Sequence, residues 1–362
     1  MKPRRIVVDA LADMHKHLRD PYMHSWLIEL AMEGGADLLG LQPNVGNGLQ
    51  TANEVETYLK HAQTATLWDK KRTRMLSHDA PRPFMLPFLM ITEETSHREI
   101  DKCVERGIEH AKIYPRYRTT KSEAGVVRYG RIIPKIQHCG SVGMNVHMHP
   151  EHPNMKVSNR DAEYSFIAIV QMFLEETNAS IIWEHGTDGR CIPFWEEWAK
   201  TGRFAVTLTA HHLATNEDLS FGDVRATCKP PIKTELDRMA LLNLVAKNYP
   251  WVMAGGDDAF HPKDAKHVAE GRCACGACTG PFLMPLYAHA CNELLTTKKG
   301  VETFINFTSR NARGRFGLPA ASRQLVLENI PFHIPLEYET GRDIVMPFWA
   351  GQTLDWRIKN EI

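Results

Sequence analysis

The sequence predicts a closed α/β barrel of eight parallel strands with helices outside, and two observations carry that prediction. Short apolar runs alternate with amphipathic stretches along almost the whole chain, a pattern typical of a parallel sheet covered by helices. Eight such runs suit a (β/α)8 TIM-type barrel better than an open sheet. The predicted strands are residues 10–18, 36–44, 82–90, 110–115, 144–150, 179–186, 203–213 and 251–258.

The segments between these strands have the apolar spacing of helices, and several end in Gly, as helix C-termini commonly do. No low-complexity linker and no short-period repeat interrupts the chain. We therefore predict that residues 1–362 form a single barrel domain. The tail, residues 325–362, is predicted to be a small C-terminal segment packed on the barrel.

The composition restricts the class of partner. Lys+Arg and Asp+Glu both number 43, so the formal net charge is +0. This balance argues against a nucleic-acid or membrane-surface partner, whose binding requires a basic face, and favours a small-molecule substrate. The N-terminal residues lack the apolar core of a secretory signal, and no apolar run approaches the roughly 18 residues of a membrane span. We therefore expect a soluble, cytoplasmic protein.

Metal-ligating side chains fall at the ends of the predicted strands. In a barrel of this type the catalytic groups lie at the C-terminal ends of the strands. The first strand ends in His15-x-His17, and alternation places both imidazoles on the same side. The other polar groups near strand ends are Lys112, His147, His185 and Asp257. A single histidine is more often structural, but the convergence of all six residues at one mouth predicts a metal site.

Lys112 has two interpretations. Burial and neighbouring metal cations disfavour an ammonium group. A neutral amine can react with CO₂ to give a carbamate, an anionic ligand able to bridge two metals roughly 3.5–4 Å apart. The alternative is a lysine whose stem packs in the barrel while its head meets solvent.

An ordered set of motifs carries a family resemblance: DMHKHLRD, QPN, AKIYP followed by TT, VHMHP, WEHGT, VTLTAHHL, GGDDAFH and CACGAC. Together they resemble the dihydroorotases of the amidohydrolase superfamily, specifically the short monofunctional bacterial type. The resemblance covers most of the chain. It implies a metal-dependent barrel that interconverts N-carbamoyl-L-aspartate and L-dihydroorotate in pyrimidine biosynthesis, and it implies a homodimer.

The resemblance also assigns site residues. Two Zn²⁺ ions per chain would be held by His15, His17 and Asp257 for the first, and by His147 and His185 for the second. Carboxylated Lys112 and a hydroxide would bridge the two ions. The substrate carboxylate would be bound by Arg19, Asn44 and His261, and a mobile loop carrying Thr119 and Thr120 would close over the substrate.

The implied chemistry is hydrolysis of a ring amide. The two metals lower the pKa of the bridging water, and the resulting hydroxide attacks the ring carbonyl. Asp257 serves as general base and then as general acid toward the leaving nitrogen. Arg19 offers a fork of donors suited to a carboxylate, although a surface ion pair is the alternative. Asn44 could instead be a turn residue after Pro43.

Four positions depart from the family pattern. Lys229 stands where the family typically has a leucine whose main chain contacts the substrate, so a cation can reach the pocket. Asp258 adds negative charge where a small residue is usual. His149 replaces an acidic or other non-metal group. Gly276 stands where the main chain of an alanine usually contacts the ligand.

These departures leave two alternatives to a dihydroorotase. One is a related hydrolase of another carboxylated cyclic amide or imide. The other is a catalytically inactive barrel that supports aspartate carbamoyltransferase. The inactive barrel ranks last, because every metal ligand is retained.

The cysteine run near residue 275 has a separate interpretation. Cys273, Cys275 and Cys278, with Cys228 as a fourth, would satisfy the coordination number of zinc. The stretch resembles a family loop that holds no structural metal, so reactive or packed thiols are the preferred interpretation.

Overall fold

The computed structural model describes residues 5–66, 81–340 and 342–359. The strands, numbered β1 to β15 in chain order, are Arg5–Asp9, Leu11–Lys16, Ala36–Leu41, Phe84–Ile91, His110–Ile113, Asn145–Met148, Ile181–Trp183, Phe204–Leu208, Val252–Ala254, Gln324–Glu328, Phe332–His333, Tyr338–Glu339, Ile344–Val345, Thr353–Leu354 and Arg357–Ile358. The α-helices, numbered α1 to α12, are His24–Glu33, Ala52–Thr64, His97–Glu105, Ile133–Ser141, Ile167–Glu176, Ile192–Ala199, Ala210–Ala214, Glu235–Ala246, Lys263–Lys266, Leu283–Ala290, Lys298–Ile305 and Asn311–Phe316.

Strands β2 to β9 form one parallel eight-stranded sheet in chain order, with helices between them. The predicted (β/α)8 barrel is therefore confirmed, and each strand begins within two residues of its predicted start. The ends differ more. The predicted strand 203–213 stops at Leu208, because the Thr209 hydroxyl accepts a hydrogen bond from the backbone N–H of His212 and begins helix α7.

The barrel closes between β2 and β9 mainly through side chains. The two ends of the sheet meet in a single bridge between Lys16 and Asp258, whose side chains also form a buried ion pair. The Asp13 carboxylate accepts a hydrogen bond from the backbone N–H of Gly256 at 2.6 Å. Burial raises the pKa of Asp13 to about 7. The seam therefore joins charged groups from the two ends of the sheet.

The core lies in two layers. The larger layer packs the outer face of the strands against the helices. The smaller layer fills the lower barrel with Ala12, Met14, Leu38, Leu86, Phe88, Ile182, Ala205, Met253 and Ala312. Because side chains fill the barrel from below, only its upper mouth is open to polar chemistry.

The end of the chain pairs with its beginning. Strand β10 is antiparallel to β1 on one edge and to β15 on the other. The described part of the predicted C-terminal segment thus supplies most of β10 and all of β15, while its residues 341 and 360–362 lie outside the described residues. Within the described ranges, no helix combines the length and apolar character needed to cross a membrane.

Candidate active site

Two histidines and an aspartate meet where the barrel closes. His15 and His17, at the end of β2, place their Nε2 atoms 3.2 Å apart. Both face Asp257 Oδ1, at 3.2 Å from His15 Nε2 and 3.1 Å from His17 Nε2. All three side chains are buried. The structure therefore brings together the three residues expected at the first metal.

The second expected group lies beside the first. His185 is buried, and both of its ring nitrogens lack hydrogen-bond partners in the described residues. Its ring centroid is 5.1 Å from that of His15. His147, on β6, directs Nδ1 toward Glu184 Oε1 at 2.8 Å. A buried imidazole without partners costs free energy, which a bound metal would offset.

The amine of Lys112 contacts the carboxylate of Glu184 at the floor of this cluster, and both side chains are fully buried. The other contact of Glu184 Oε2 is His15 Nδ1, at 2.9 Å. Burial lowers the pKa of Lys112 well below its ordinary value. Burial thus favours the neutral amine that carbamate formation requires.

Three functional positions have left-handed backbone. The φ angles are +54° at Arg19, +42° at His185 and +45° at Asp257. Residues other than Gly adopt this region at a cost, and such residues concentrate at functional sites. At His185 the turn of the backbone interrupts strand alternation, so that the adjacent Glu184 and His185 both face the site.

The donor set fits divalent metal ions. The ligand atoms of His15, His17 and Asp257 lie within 4.8 Å of one another, and so do those of His15, Glu184 and His185. Burial lowers the pKa of His17 to about 3 and the pKa values of His15 and His185 well below the ordinary value. The imidazoles are therefore neutral, as metal ligation requires.

A small pocket of about 20 Å³ lies directly beside Asp257. It is lined by His17, Arg19, Asn44, Thr119, Thr120, Lys229, Asp257, Ala259, Cys275 and Gly276. All the residues predicted to contact substrate are among them except His261. His261 lies behind Arg19, with Nε2 3.1 Å from Arg19 Nη2 and 2.8 Å from the carbonyl of Cys275.

The loop that carries the threonine pair is closed over this pocket. The side-chain amide of Asn44 donates to the backbone carbonyl of Thr120 at 3.0 Å. The hydroxyl of Thr120 donates to the carbonyl of Cys275 at 3.5 Å. Beyond the loop lies an outer cavity of about 810 Å³, to which Thr119 and Thr120 also contribute.

Two of the four departing residues, Asp258 and His149, are not among the residues that line the pocket. Asp258 adds no charge to the pocket, because it is buried in the ion pair with Lys16 and accepts the backbone N–H of Thr279 at 2.7 Å. His149 also has a partner, because its Nε2 lies 2.7 Å from Glu151 Oε2. Lys229 does line the pocket.

Sequence reasoning missed two buried residues of the cluster. Glu184 contacts Lys112 and His147, and His110 places Nδ1 3.0 Å from His147 Nε2. Both carried a signal. Glu184 precedes His185 directly in the WEHGT motif, and His110 lies two residues before Lys112, on the same face of a predicted strand.

The predicted group of Cys273, Cys275 and Cys278 with Cys228 is not formed in the described residues; the compact group of ligand atoms that includes a thiol there joins Cys228 with His211 and His212. All eight cysteines are free. The Cys228 thiol lies 3.6 Å from His212 Nε2, but the two ring nitrogens of His212 already contact Thr209 and Pro230. No compact group of ligand atoms found there includes Cys273, Cys275 or Cys278.

Comparisons with known proteins extend these observations. No protein-family profile matches the chain. A dihydroorotase of Coxiella burnetii is 29% identical over 355 residues, covering 96% of each chain. The crystal structure of dihydroorotase from Saccharomyces cerevisiae in complex with 5-fluoroorotic acid superposes with a TM-score of 0.87 and 25% identity, covering 99% of each chain. An L-hydantoinase from Arthrobacter aurescens shares the fold at a TM-score of 0.78 and 13% identity, covering 98% of this chain and 83% of its own.

The similarity to dihydroorotases runs from one end of the chain to the other. It agrees with the ordered motifs, and the predicted resemblance is confirmed.

Proposed function

We propose that this chain, which is similar to dihydroorotases over almost its whole length, interconverts N-carbamoyl-L-aspartate and L-dihydroorotate at the barrel mouth. One observation carries the proposal. The cluster of His15, His17 and Asp257 borders a small pocket that is also lined by Arg19 and Asn44. A metal-binding group and a carboxylate-binding group thus share one small chamber.

The proposed cofactor is a pair of Zn²⁺ ions. His15, His17 and Asp257 would hold one ion, His147 and His185 the other, and carboxylated Lys112 would bridge them. Such a centre supplies Lewis acidity and lowers the pKa of water toward neutrality. Glu184 lies among the same donors and is a further oxygen ligand within reach of His15 and His185.

Asp257 is the proposed proton carrier. Its Oδ1 faces both His15 and His17, and its side chain also lines the pocket. In the hydrolytic direction water adds to the ring carbonyl, and Asp257 takes the proton that the water releases. When the C–N bond breaks, Asp257 returns this proton to the departing ring nitrogen.

Arg19 supports a carboxylated substrate. It is buried, and its guanidinium donates to the carbonyl of Phe260 at 3.1 Å. Within the described ranges no carboxylate lies at ion-pair distance from it. An unpaired buried cation favours an incoming anion, and a guanidinium fork matches a carboxylate. Asn44 lines the same pocket and can donate to the same group.

The loop that carries Thr119 and Thr120 covers part of the pocket and would limit the access of water to the reaction. Thr120 is bonded to Asn44 and Cys275, and the chamber beneath it measures about 20 Å³. Substrate entry therefore requires the loop to open, and closure then surrounds the ring with protein donors.

A second candidate is hydrolysis of another carboxylated cyclic amide or imide. One observation favours it: Lys229 places a cation on the pocket wall. An inactive barrel supporting aspartate carbamoyltransferase is the remaining alternative. The homodimer and the cytoplasmic location implied by the resemblance are further proposals, to be checked by sedimentation and by cell fractionation.

The test is a direct assay. Protein purified with zinc and bicarbonate is mixed with L-dihydroorotate, and ring loss is followed by ultraviolet absorbance. Turnover that disappears in Asp257→Asn supports the dihydroorotase function. No turnover in protein holding about two metals per chain would favour another cyclic amide, and no turnover without metal would favour the inactive barrel.

A further inference from the structure

Lys229 stands at the junction of two cavities. It lines the small pocket of about 20 Å³ beside Asp257 and also the outer cavity of about 810 Å³. Its side chain is only 17% exposed. Apart from the imidazole of His17, the pocket wall carries two basic side chains, Arg19 and Lys229, which come from segments far apart in the chain. The pocket therefore offers two separate cationic groups to one ligand.

The ammonium group of Lys229 is held by two neighbours. Its Nζ donates to Asn159 Oδ1 at 2.5 Å and lies 3.7 Å from Glu151 Oε1. Glu151 is fully buried, and its other oxygen contacts His149. Burial raises the pKa of Glu151, but the His149 hydrogen bond and the charges of His149 and Lys229 outweigh burial and hold it below the ordinary value.

This arrangement leaves donor capacity unused. An ammonium group has three N–H donors. Asn159 takes one, and the Glu151 oxygen at 3.7 Å is too distant for a hydrogen bond. Glu151 Oε1 itself has no hydrogen-bond partner in the described residues. The neighbours of Lys229 therefore position its ammonium group but do not use all of its hydrogen-bond donors. Its flexible side chain allows Nζ to reach a ligand oxygen.

The chemistry of the ligand follows when each polar residue of the pocket is matched to one group of the substrate, and this inference rests on the proposed function. Arg19 takes the carboxylate, and Asp257 with the metal ligands faces the reacting carbonyl. A dihydroorotate ring has one further strong acceptor, the carbonyl on the other side of the scissile nitrogen. We propose that Lys229 Nζ donates a hydrogen bond to this second carbonyl. The site then selects carboxylated rings whose nitrogen is flanked by two carbonyl groups over simple lactams.

The probes are two planar acids that differ in this feature. Orotate carries the carboxylate, the ring carbonyl and the second carbonyl. 4-Oxo-1,4-dihydropyridine-2-carboxylate keeps the carboxylate and the first carbonyl but has C–H groups in place of the second carbonyl and its neighbouring nitrogen. Calorimetry with the zinc-loaded protein measures Kd for both probes in wild type and in Lys229→Met. The surface variant Lys263→Met, which removes an ammonium paired with Glu337, is the matched control.

Removing a charged hydrogen bond is expected to weaken orotate binding about 10- to 100-fold in Lys229→Met. The pyridone is expected to change less than about threefold, since its contact with Lys229 is absent in both proteins. Lys263→Met should bind both probes like wild type. Equal losses for the two probes, or no loss for either, would overturn the inference.

Further outcomes distinguish a failure of the inference about Lys229 from a failure of the proposed function. Lys229→Gln keeps a donor for Asn159 and loses the charge, so it should show the same selective loss if Lys229→Met fails to fold. If wild type turns over L-dihydroorotate and both variants bind orotate normally, only the inference fails. If wild type neither turns over L-dihydroorotate nor binds either probe, the proposed function fails and the inference with it.

Discussion

The amine of Lys112 is paired with the carboxylate of Glu184 at the floor of the barrel mouth, and both side chains are fully buried. The same carboxylate contacts His15 and His147, at 2.9 and 2.8 Å. A carbamate on Lys112 would be an anion, whereas the amine is neutral or cationic, so the carbamate would repel the carboxylate of Glu184. The electrostatic interaction between Lys112 and Glu184 therefore depends on whether Lys112 is carboxylated.

We expect Lys112→Met to lose metal and turnover together, because no bridging anion can form. The metal content, measured by inductively coupled plasma mass spectrometry, should fall to about half or less of the wild-type value. Turnover of L-dihydroorotate should fall by about 10³-fold or more, corresponding to roughly 4 kcal/mol of transition-state stabilisation. Lys266→Met is the control, because Lys266 is a buried lysine that donates to the carbonyls of Val224 and Thr227. Full metal content in Lys112→Met would exclude a bridging role.

Substitution of the adjacent residues Asp257 and Asp258 should affect different properties, turnover in the first case and stability in the second. Asp257→Asn is expected to keep the fold and to lower turnover by about 10²- to 10⁴-fold, the usual contribution of a general base. Asp258→Asn leaves the ammonium of Lys16 buried without a counter-charge, so the free energy of unfolding should fall by about 3–5 kcal/mol. Steady-state kinetics and urea unfolding on both variants check this. Equal unfolding midpoints for the two variants would contradict the assignment of Asp258 to the barrel seam.

His110 is expected to act through His147. Its Nδ1 lies 3.0 Å from His147 Nε2, and its ring stacks on Phe88. His110→Phe keeps the aromatic packing but removes the nitrogen that orients His147, so metal affinity should fall about 10- to 100-fold. Competition with a chelating dye measures the affinity independently of activity. His138→Phe, at a histidine paired with Asp101 outside the site, should leave it unchanged.

The loop over the pocket should open when Asn44 is shortened. Asn44→Ala removes the hydrogen bond to the carbonyl of Thr120, so trypsin should cleave after Lys121 several times faster. Loss of a hydrogen bond to the substrate carboxylate as well should raise KM about tenfold or more. Asn47→Ala is the matched control, because within the described residues Asn47 forms a hydrogen bond through its backbone carbonyl, with Gln50, and none through its side chain. Unchanged cleavage in Asn44→Ala would show that this hydrogen bond does not hold the loop.

The free energy of unfolding is expected to depend on pH through the buried carboxyl group of Glu163. Burial raises its pKa to about 7 from an ordinary value of 4.5. Between these values the folded state binds more protons than the unfolded state, so stability falls as pH rises from about 4.5 to 7, by roughly 3 kcal/mol. Glu163→Gln can still accept from Trp183 and Thr187 but cannot ionise. Urea unfolding at pH 5 and 7.5 should therefore show a smaller decline in Glu163→Gln, and parallel declines would refute the assignment.

The sequence by itself determined the barrel and the convergence of its polar strand ends. Parallel strands in chain order have their carboxyl ends at one rim, so residues at those ends meet whatever the details of packing. His15, Lys112 and His147 follow from this rule alone. The pocket residues Arg19 and Asn44 came from the family resemblance, and the fold brings them together.

Only the tertiary structure decided how neighbours in the sequence divide their roles. Alternation along a strand is local, but the left-handed backbone at His185 and Asp257 is held by the surrounding packing. This backbone lets Glu184 and His185 face the same cluster. The pairing of Lys16 with Asp258 spans 242 residues, so no local pattern could have shown that Asp258 closes the barrel while Asp257 serves the site. Such a contact forms only when the first and last strands of the barrel are brought together in the folded protein.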